Sequence, residues 1–177
     1  SPYIDGSDSD WGSVPSLPAA ETWAARESEL KLAMDPSGIF LALLFRQGRG
    51  QLGREYDFAL EVGERRVDFR LENGGVNTTL SAPGAEPLQL PPEQSGATQQ
   101  LLEARLSLSA LGLEAPPVRA TIRAIIINRS GEEEQVVAPI AVQFPSTERS
   151  AREQFGGAAT AGDAFLAGLL SGYLAGR

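Results

Sequence analysis

Polar and apolar positions alternate with a period of two in repeated short stretches between residues 29 and 144. Glu29 to Met34 alternates as a half-buried strand should. Asp35-Pro36-Ser37-Gly38 follows as a turn, and Ile39 to Phe45 is a continuous apolar run of strand length. The two predict a hairpin whose second strand is buried on both faces. Tyr56, Phe58, Leu60 and Val62 alternate with Asp57, Ala59 and Glu61. After Gly63-Glu64, Val67, Phe69 and Leu71 alternate with Asp68, Arg70 and Glu72, which predicts a second hairpin. Val76 to Leu80 continues as a further strand. Residues 81–97 carry several Pro and read as a surface loop with at most a short edge strand at Leu88 to Leu90. Leu102, Ala104, Leu106 and Leu108 oppose Glu103, Arg105 and Ser107 on a later strand, and Ser109 to Leu113 resembles one helical turn closed by Gly112. Val118 to Asn128 and Val136 to Phe144 complete the set, with Pro139 marking an edge or bulge. The pattern predicts an all-β fold, an antiparallel β-sandwich of about eight or nine strands, with a C-terminal helical tail.

The tail is set apart by its composition. Residues 146–155 form a polar connector, and residues 156–177 are almost only Gly, Ala, Leu, Phe, Ser and Tyr. Arg149, Arg152 and Arg177 balance Glu148, Glu153 and Asp163 there, so the net charge of −8 lies on residues 1–145, the predicted sandwich domain. No run of apolar residues is long enough to predict a membrane span. The chain starts at Ser1 rather than Met, as a processed product or an excised domain would.

Composition removes whole classes of chemistry. There is no His and no Cys, which excludes imidazole and thiolate catalysis, zinc sites built on them, and disulfides. The excess of acidic residues argues against nucleic-acid binding. The chain reads as no enzyme and as having no resident cofactor.

The opening Tyr3-Ile4-Asp5-Gly6-Ser7-Asp8-Ser9-Asp10-Trp11, followed by Val14-Pro15, resembles the start of family 9 carbohydrate-binding-module-like sandwiches, related to the DOMON fold. Leu30 to Phe45, with its Asp-containing turn, and Leu102 to Gly112, ending in Leu-Gly, are similar to later features of that family. The resemblance spans residues 3–144 and implies an extracellular or cell-surface binding module, glycan-directed in some members and haem-binding in others. Haem members use Met with His or Lys as ligands. Met34 and Lys31, three apart on one strand, point to opposite faces, so haem is not expected here. By the same resemblance Trp11 is a structural plug of the sandwich end. Trp23 is the candidate ligand platform, on which a sugar ring would stack; core or edge packing are its other readings, and Tyr56 reads as packing. Asp5, Asp8 and Asp10 are candidate Ca²⁺ ligands, since hard cations take clustered carboxylates; the same residues suit a solvated Asx-turn. Glu132-Glu133-Glu134 reads as a solvated hairpin end, and Asn77-Thr78-Thr79 and Asn128-Arg129-Ser130 match glycosylation sequons.

Ala161-Gly162-Asp163-Ala164-Phe165-Leu166-Ala167-Gly168 resembles the C-terminal signature of ribokinase-type sugar kinases, in which Asp163 would be the general base on a sugar hydroxyl. Thr160 stands where that family's first Gly belongs, and no alternating strand–helix pattern precedes the motif. The tail reads instead as a docking helix. Phe165, Leu169 and Tyr173 lie on its apolar stripe and are the expected assembly contacts with a neighbouring subunit or the parent protein. A self-assembling surface protein is thus the alternative to a binding module.

Overall fold

A computed structural model describes residues 4–144 apart from 6, 8, 36–37, 47–51, 73–74, 92–94, 98–99 and 114–117. Asp8 and the expected tail, with Phe165, Leu169 and Tyr173, lie outside the described residues. Within them the fold is all-β, antiparallel and sandwich-like, built from two sheets. The smaller sheet has the order β1 (Ser28–Asp35), β2 (Gly38–Phe45), β8 (Leu101–Ser107), β7 (Ser95–Ala97). The larger runs β10 (Glu133–Gln135), β9 (Val118–Asn128), β3 (Tyr56–Val62), β4 (Arg65–Glu72), β5 (Gly75–Ser81), β6 (Leu88–Gln89), with β11 (Ile140–Phe144) also paired to β9.

Register puts like with like, because alternate residues of a strand share a face. In the small sheet Leu30 faces Leu43, Leu32 faces Leu41 and Met34 faces Ile39. Leu102, Ala104 and Leu106 lie opposite Leu43, Leu41 and Ile39 on β8. In the large sheet Phe58 pairs with Phe69 and Ile126, and Leu60 with Val67 and Ala124. These residues form one buried core between the sheets. Each large side chain so removed from water contributes about 1.5–3 kcal/mol before entropy.

The structure departs from the sequence pattern in three places. The expected strand Val136 to Phe144 shortens to β11, and a separate short strand, β10, forms just before it in the stretch read as a hairpin end. β10 pairs with Ile125 to Ile127 and β11 with Val118 to Ile122, on the same edge of β9. The chain leaves the edge between them, where Pro139 lacks an amide hydrogen for the ladder. β7 forms inside the segment read as a loop, pairing with β8. A short helix, α1 (Trp23–Glu27), precedes β1; Thr22 caps it by accepting a hydrogen bond from Ala25 N at 3.1 Å.

β2 is buried on both faces, and the reason is the N-terminal segment. Trp11, in a 3₁₀ turn (Ser9–Trp11), packs with Val14 on the outer face of the small sheet, against Ala33, Phe40, Ala42 and Leu101. Trp11 is therefore buried as expected, but over a sheet rather than at the sandwich end. Its indole Nε1 donates to Glu103 Oε1 at 2.8 Å, and Asp5 N donates to Glu103 Oε2 at 3.1 Å. Glu103, which alternation placed on the polar face, is fully buried under this strap. Lys31, in the same cross-strand row through Ala42, donates from Nζ to the Trp11 carbonyl at 3.0 Å. Met34 meanwhile sits in the inner core, so the two residues do face opposite ways. From Trp11 the strap passes Leu17, whose amide bonds Leu30 O, and reaches the end of β10, where Ala20 N bonds the carbonyl of the next residue, Val136. It thus links the edge strand β1 to the β10 edge of the other sheet.

Candidate functional site

The strap's last element, α1, docks against β1 and β10. Thr22 Oγ1 donates to Gln135 O at 2.6 Å, which holds the helix start to the β10 strand. This fixes Trp23 over the end of the sandwich. Trp23 is 40% exposed, one of two exposed large apolar side chains among the described residues; the other, Leu88, is on β6. The Trp23 ring lies 5.5 Å from that of Tyr56, tilted by 42°. Tyr56 in turn stacks on Phe45 at 5.8 Å, which ties it to the core. Tyr56 therefore does pack, as its alternation with Phe58 suggests, and also presents a half-buried ring beside Trp23.

These two rings border a slot of about 130 Å³, lined further by Ile126, Asn128, Glu132 and Glu134. Tyr56 and Asn128 are register partners on β3 and β9, which explains why residues far apart in sequence meet. Asn128 organises the turn at the slot's rim. Its Oδ1 accepts from Ser130 N and Glu132 N at 2.9 Å each, and its Nδ2 donates to Glu132 Oε2 at 3.1 Å. Glu132, Glu133 and Glu134 are exposed, as a solvated hairpin end would be, and the Glu132 carboxylate also accepts this bond from Asn128. The Tyr56 phenol is raised above its ordinary pKa, first by burial and then by the carboxylates of Glu55, Glu134 and Glu27. It stays neutral across physiological pH and can both donate and accept. An apolar wall, a hydroxyl, an amide and two carboxylates give the slot the groups that stack a ring and hold its polar substituents. Trp23 alone of these was singled out by sequence. Tyr56 packs and Glu132 and Glu134 are exposed, as local pattern suggests; their meeting at one rim comes from strand pairing, which local pattern does not carry.

A second concavity of about 510 Å³ lies on the large sheet's outer face, lined by Asp57, Asp68, Arg70, Glu72, Asn77, Thr79 and Gln89 among others. Its carboxylates are engaged by arginines. Asp57 pairs with Arg129 at 3.2 Å, Asp68 with Arg66 at 3.0 Å and Glu72 with Arg70 at 3.8 Å. It has no exposed aromatic platform, so it lacks the stacking surface that the slot has.

Of the candidate cation ligands Asp5 and Asp10 are described, and Asp8 is outside the described residues. Asp5 is exposed and accepts from Ser7 N at 2.8 Å, an Asx-turn contact, while Asp10 is half-buried. Among the described residues no group of three or more carboxylates is placed to hold a metal ion. No helix among them is long and apolar enough to cross a membrane. Asn77 lies on β5, and its sequon partner Thr79 pairs with Gln89.

The fold and slot define a sandwich-like β-domain with an aromatic cleft at one end. No family model, curated protein or solved structure matches the chain.

Proposed function

We propose that this chain is a non-catalytic binding module, acting at the cell surface or outside the cell, whose ligand slot is the Trp23–Tyr56 cleft and whose ligand is a glycan. The observation that carries the reading is the exposed Trp23 ring set against Tyr56 beside a cleft with polar walls. An indole face offers C–H contact to a pyranose ring, and burying such a surface supplies most of the affinity of small sites. Amide and carboxylate oxygens and the Tyr56 hydroxyl can take the ring's hydroxyl groups. The lack of His and Cys supports binding rather than catalysis. The antiparallel β-architecture agrees with the resemblance of residues 3–144 to carbohydrate-binding sandwiches.

Glycan-array screening followed by affinity gels tests this. Retardation by at least one glycan, lost in Trp23→Ala and Tyr56→Ala while the far-ultraviolet spectrum is unchanged, is the expected result. Retention that survives both substitutions would place the ligand elsewhere.

A further inference from the structure

The charge and size of the slot narrow the ligand. Its volume, about 130 Å³, falls below the several hundred Å³ of sites that enclose a whole small molecule. It suits one ring edge or one substituent, with the rest of the ligand outside. The lining is two aromatic rings, one aliphatic side chain, one amide and two carboxylates, with no Lys or Arg. Glu132 is fixed toward this rim by its bond with Asn128 Nδ2. Aromatic faces carry negative potential and attract cations, and nearby carboxylates add to that attraction. Such a wall favours a positively charged substituent over a neutral or anionic one.

We propose that the slot recognises a protonated amino sugar: a hexosamine unit whose free ammonium group sits against Glu132 and Glu134 while its ring lies on Trp23. This rests on the glycan reading above and specifies which glycan. The Tyr56 phenol, held neutral by burial and by Glu55, Glu134 and Glu27, is consistent with a negative local field. An acidic chain of net charge −8 also draws a cationic saccharide toward it, which speeds encounter without giving specificity. Specificity must come from the slot itself.

The test compares two trimers of the same ring and linkage, one of glucosamine and one of N-acetylglucosamine, titrated calorimetrically into the full chain at a pH where the free amine is protonated. The charged trimer is expected to bind at least ~10-fold more tightly, a factor equal to about 1.4 kcal/mol. The preference should shrink as salt screens the ammonium–carboxylate attraction. Glu132→Gln with Glu134→Gln should erase the preference, bringing the charged trimer to the affinity of the acetylated one in the same variant. Gln keeps an oxygen for Asn128 Nδ2, so the turn is preserved. Glu64→Gln with Glu86→Gln removes the same charge at exposed positions outside the slot lining and should leave the preference intact. Equal binding of the two trimers overturns the inference, as does a preference that falls equally in both double variants, since it would then follow from net charge alone. If neutral glycans bind through Trp23 and the charged trimer gains nothing, the amino-sugar inference fails and the binding module stands. If no glycan of any charge binds, both fail.

Discussion

Trp11 and Trp23 lie twelve positions apart on one strap and meet opposite fates. Trp11 is wholly buried over the outer face of the small sheet, and its indole N–H is spent on the Glu103 carboxylate. Trp23 is 40% exposed and leans on Tyr56 at the sandwich end. The difference follows from what lies beneath each ring. Under Trp11 the sheet presents Ala33, Ala42, Phe40 and Leu101, small and apolar enough to receive a large ring, with one buried acceptor placed for its donor. Under Trp23 the wall is the side of another aromatic ring, and the remaining lining of the cleft is Ile126 with the polar Asn128, Glu132 and Glu134. The first arrangement spends an aromatic side chain on stability; the second leaves one available for a ligand. The same strap thus closes one face of the molecule and opens one end of it.

The largest expected effect breaks the buried half of this comparison. Trp11→Ala should lower unfolding free energy by about 3–5 kcal/mol, the usual cost of deleting a buried Trp. Trp23→Ala should cost less, about 1–2 kcal/mol, because 40% of the residue is already exposed. Chemical denaturation of both variants measures the gap. Equal losses would mean that Trp23 is as structural as Trp11, and the slot reading would fall with them.

The second effect isolates the Glu103 anchor. Glu103→Ala leaves the Trp11 indole N–H buried without its acceptor, a loss of about 1–3 kcal/mol for that group. Glu103→Gln keeps an oxygen for the indole and should lose less. Limited proteolysis is the more specific readout: cleavage within residues 4–18 should accelerate in Glu103→Ala before the sheets themselves are cut. If the strap is cut no faster, it is held by apolar packing alone.

The fold was largely legible because burial on one face leaves a period of two in the sequence. Leu30 to Met34, Phe58 to Val62 and Val67 to Leu71 carry it plainly, and the observed strands cover them. Where a second layer covers the outer face, the signal inverts. Glu103 occupies a polar-parity position and is buried, because the strap that covers it comes from residues about ninety positions away. α1 is too short for periodicity to register, and its only local mark is the capping Thr22. The slot was legible through Trp23 alone. Tyr56, Glu132 and Glu134 converge through the β3–β9–β10 ladder, a relation of register that local pattern does not encode.

A third, smaller effect contrasts the two outer faces. The small sheet is covered by chain, the large sheet by side-chain ion pairs. Arg66 bonds Asp68 at 3.0 Å and Glu133 at 2.6 Å, with Glu61 at 3.8 Å, from β4 across to β10. Ala59 and Ile125, on the outer parity of β3 and β9, are buried nonetheless. Arg66→Ala should cost about 1 kcal/mol or less, and added salt should narrow the difference from the parent chain. Thermal melts at two salt concentrations measure both. A loss as large as that of Trp11→Ala would show that ion pairs cover this face as firmly as the strap covers the other.

The smallest effect concerns the open half directly. Tyr56 has a raised pKa, first because burial disfavours the phenolate and then because Glu55, Glu134 and Glu27 repel it. For a group whose folded pKa exceeds its unfolded one, the stabilising contribution is full below the unfolded value and is lost as pH rises through the folded value. The folded chain should therefore lose this contribution only under alkaline conditions, above the ordinary phenol range. The chain has three Tyr, so the Tyr56 step is taken as the difference in tyrosinate absorbance between the parent chain and Tyr56→Phe. Glu134→Gln removes one repelling charge and should move that step part of the way down, since burial remains. A step at the ordinary phenol value, or one indifferent to Glu134, would mean that the cleft beside Trp23 is neither enclosed nor acidic at the Tyr56 hydroxyl. The end of the sandwich would then be a surface with an exposed ring and no slot behind it.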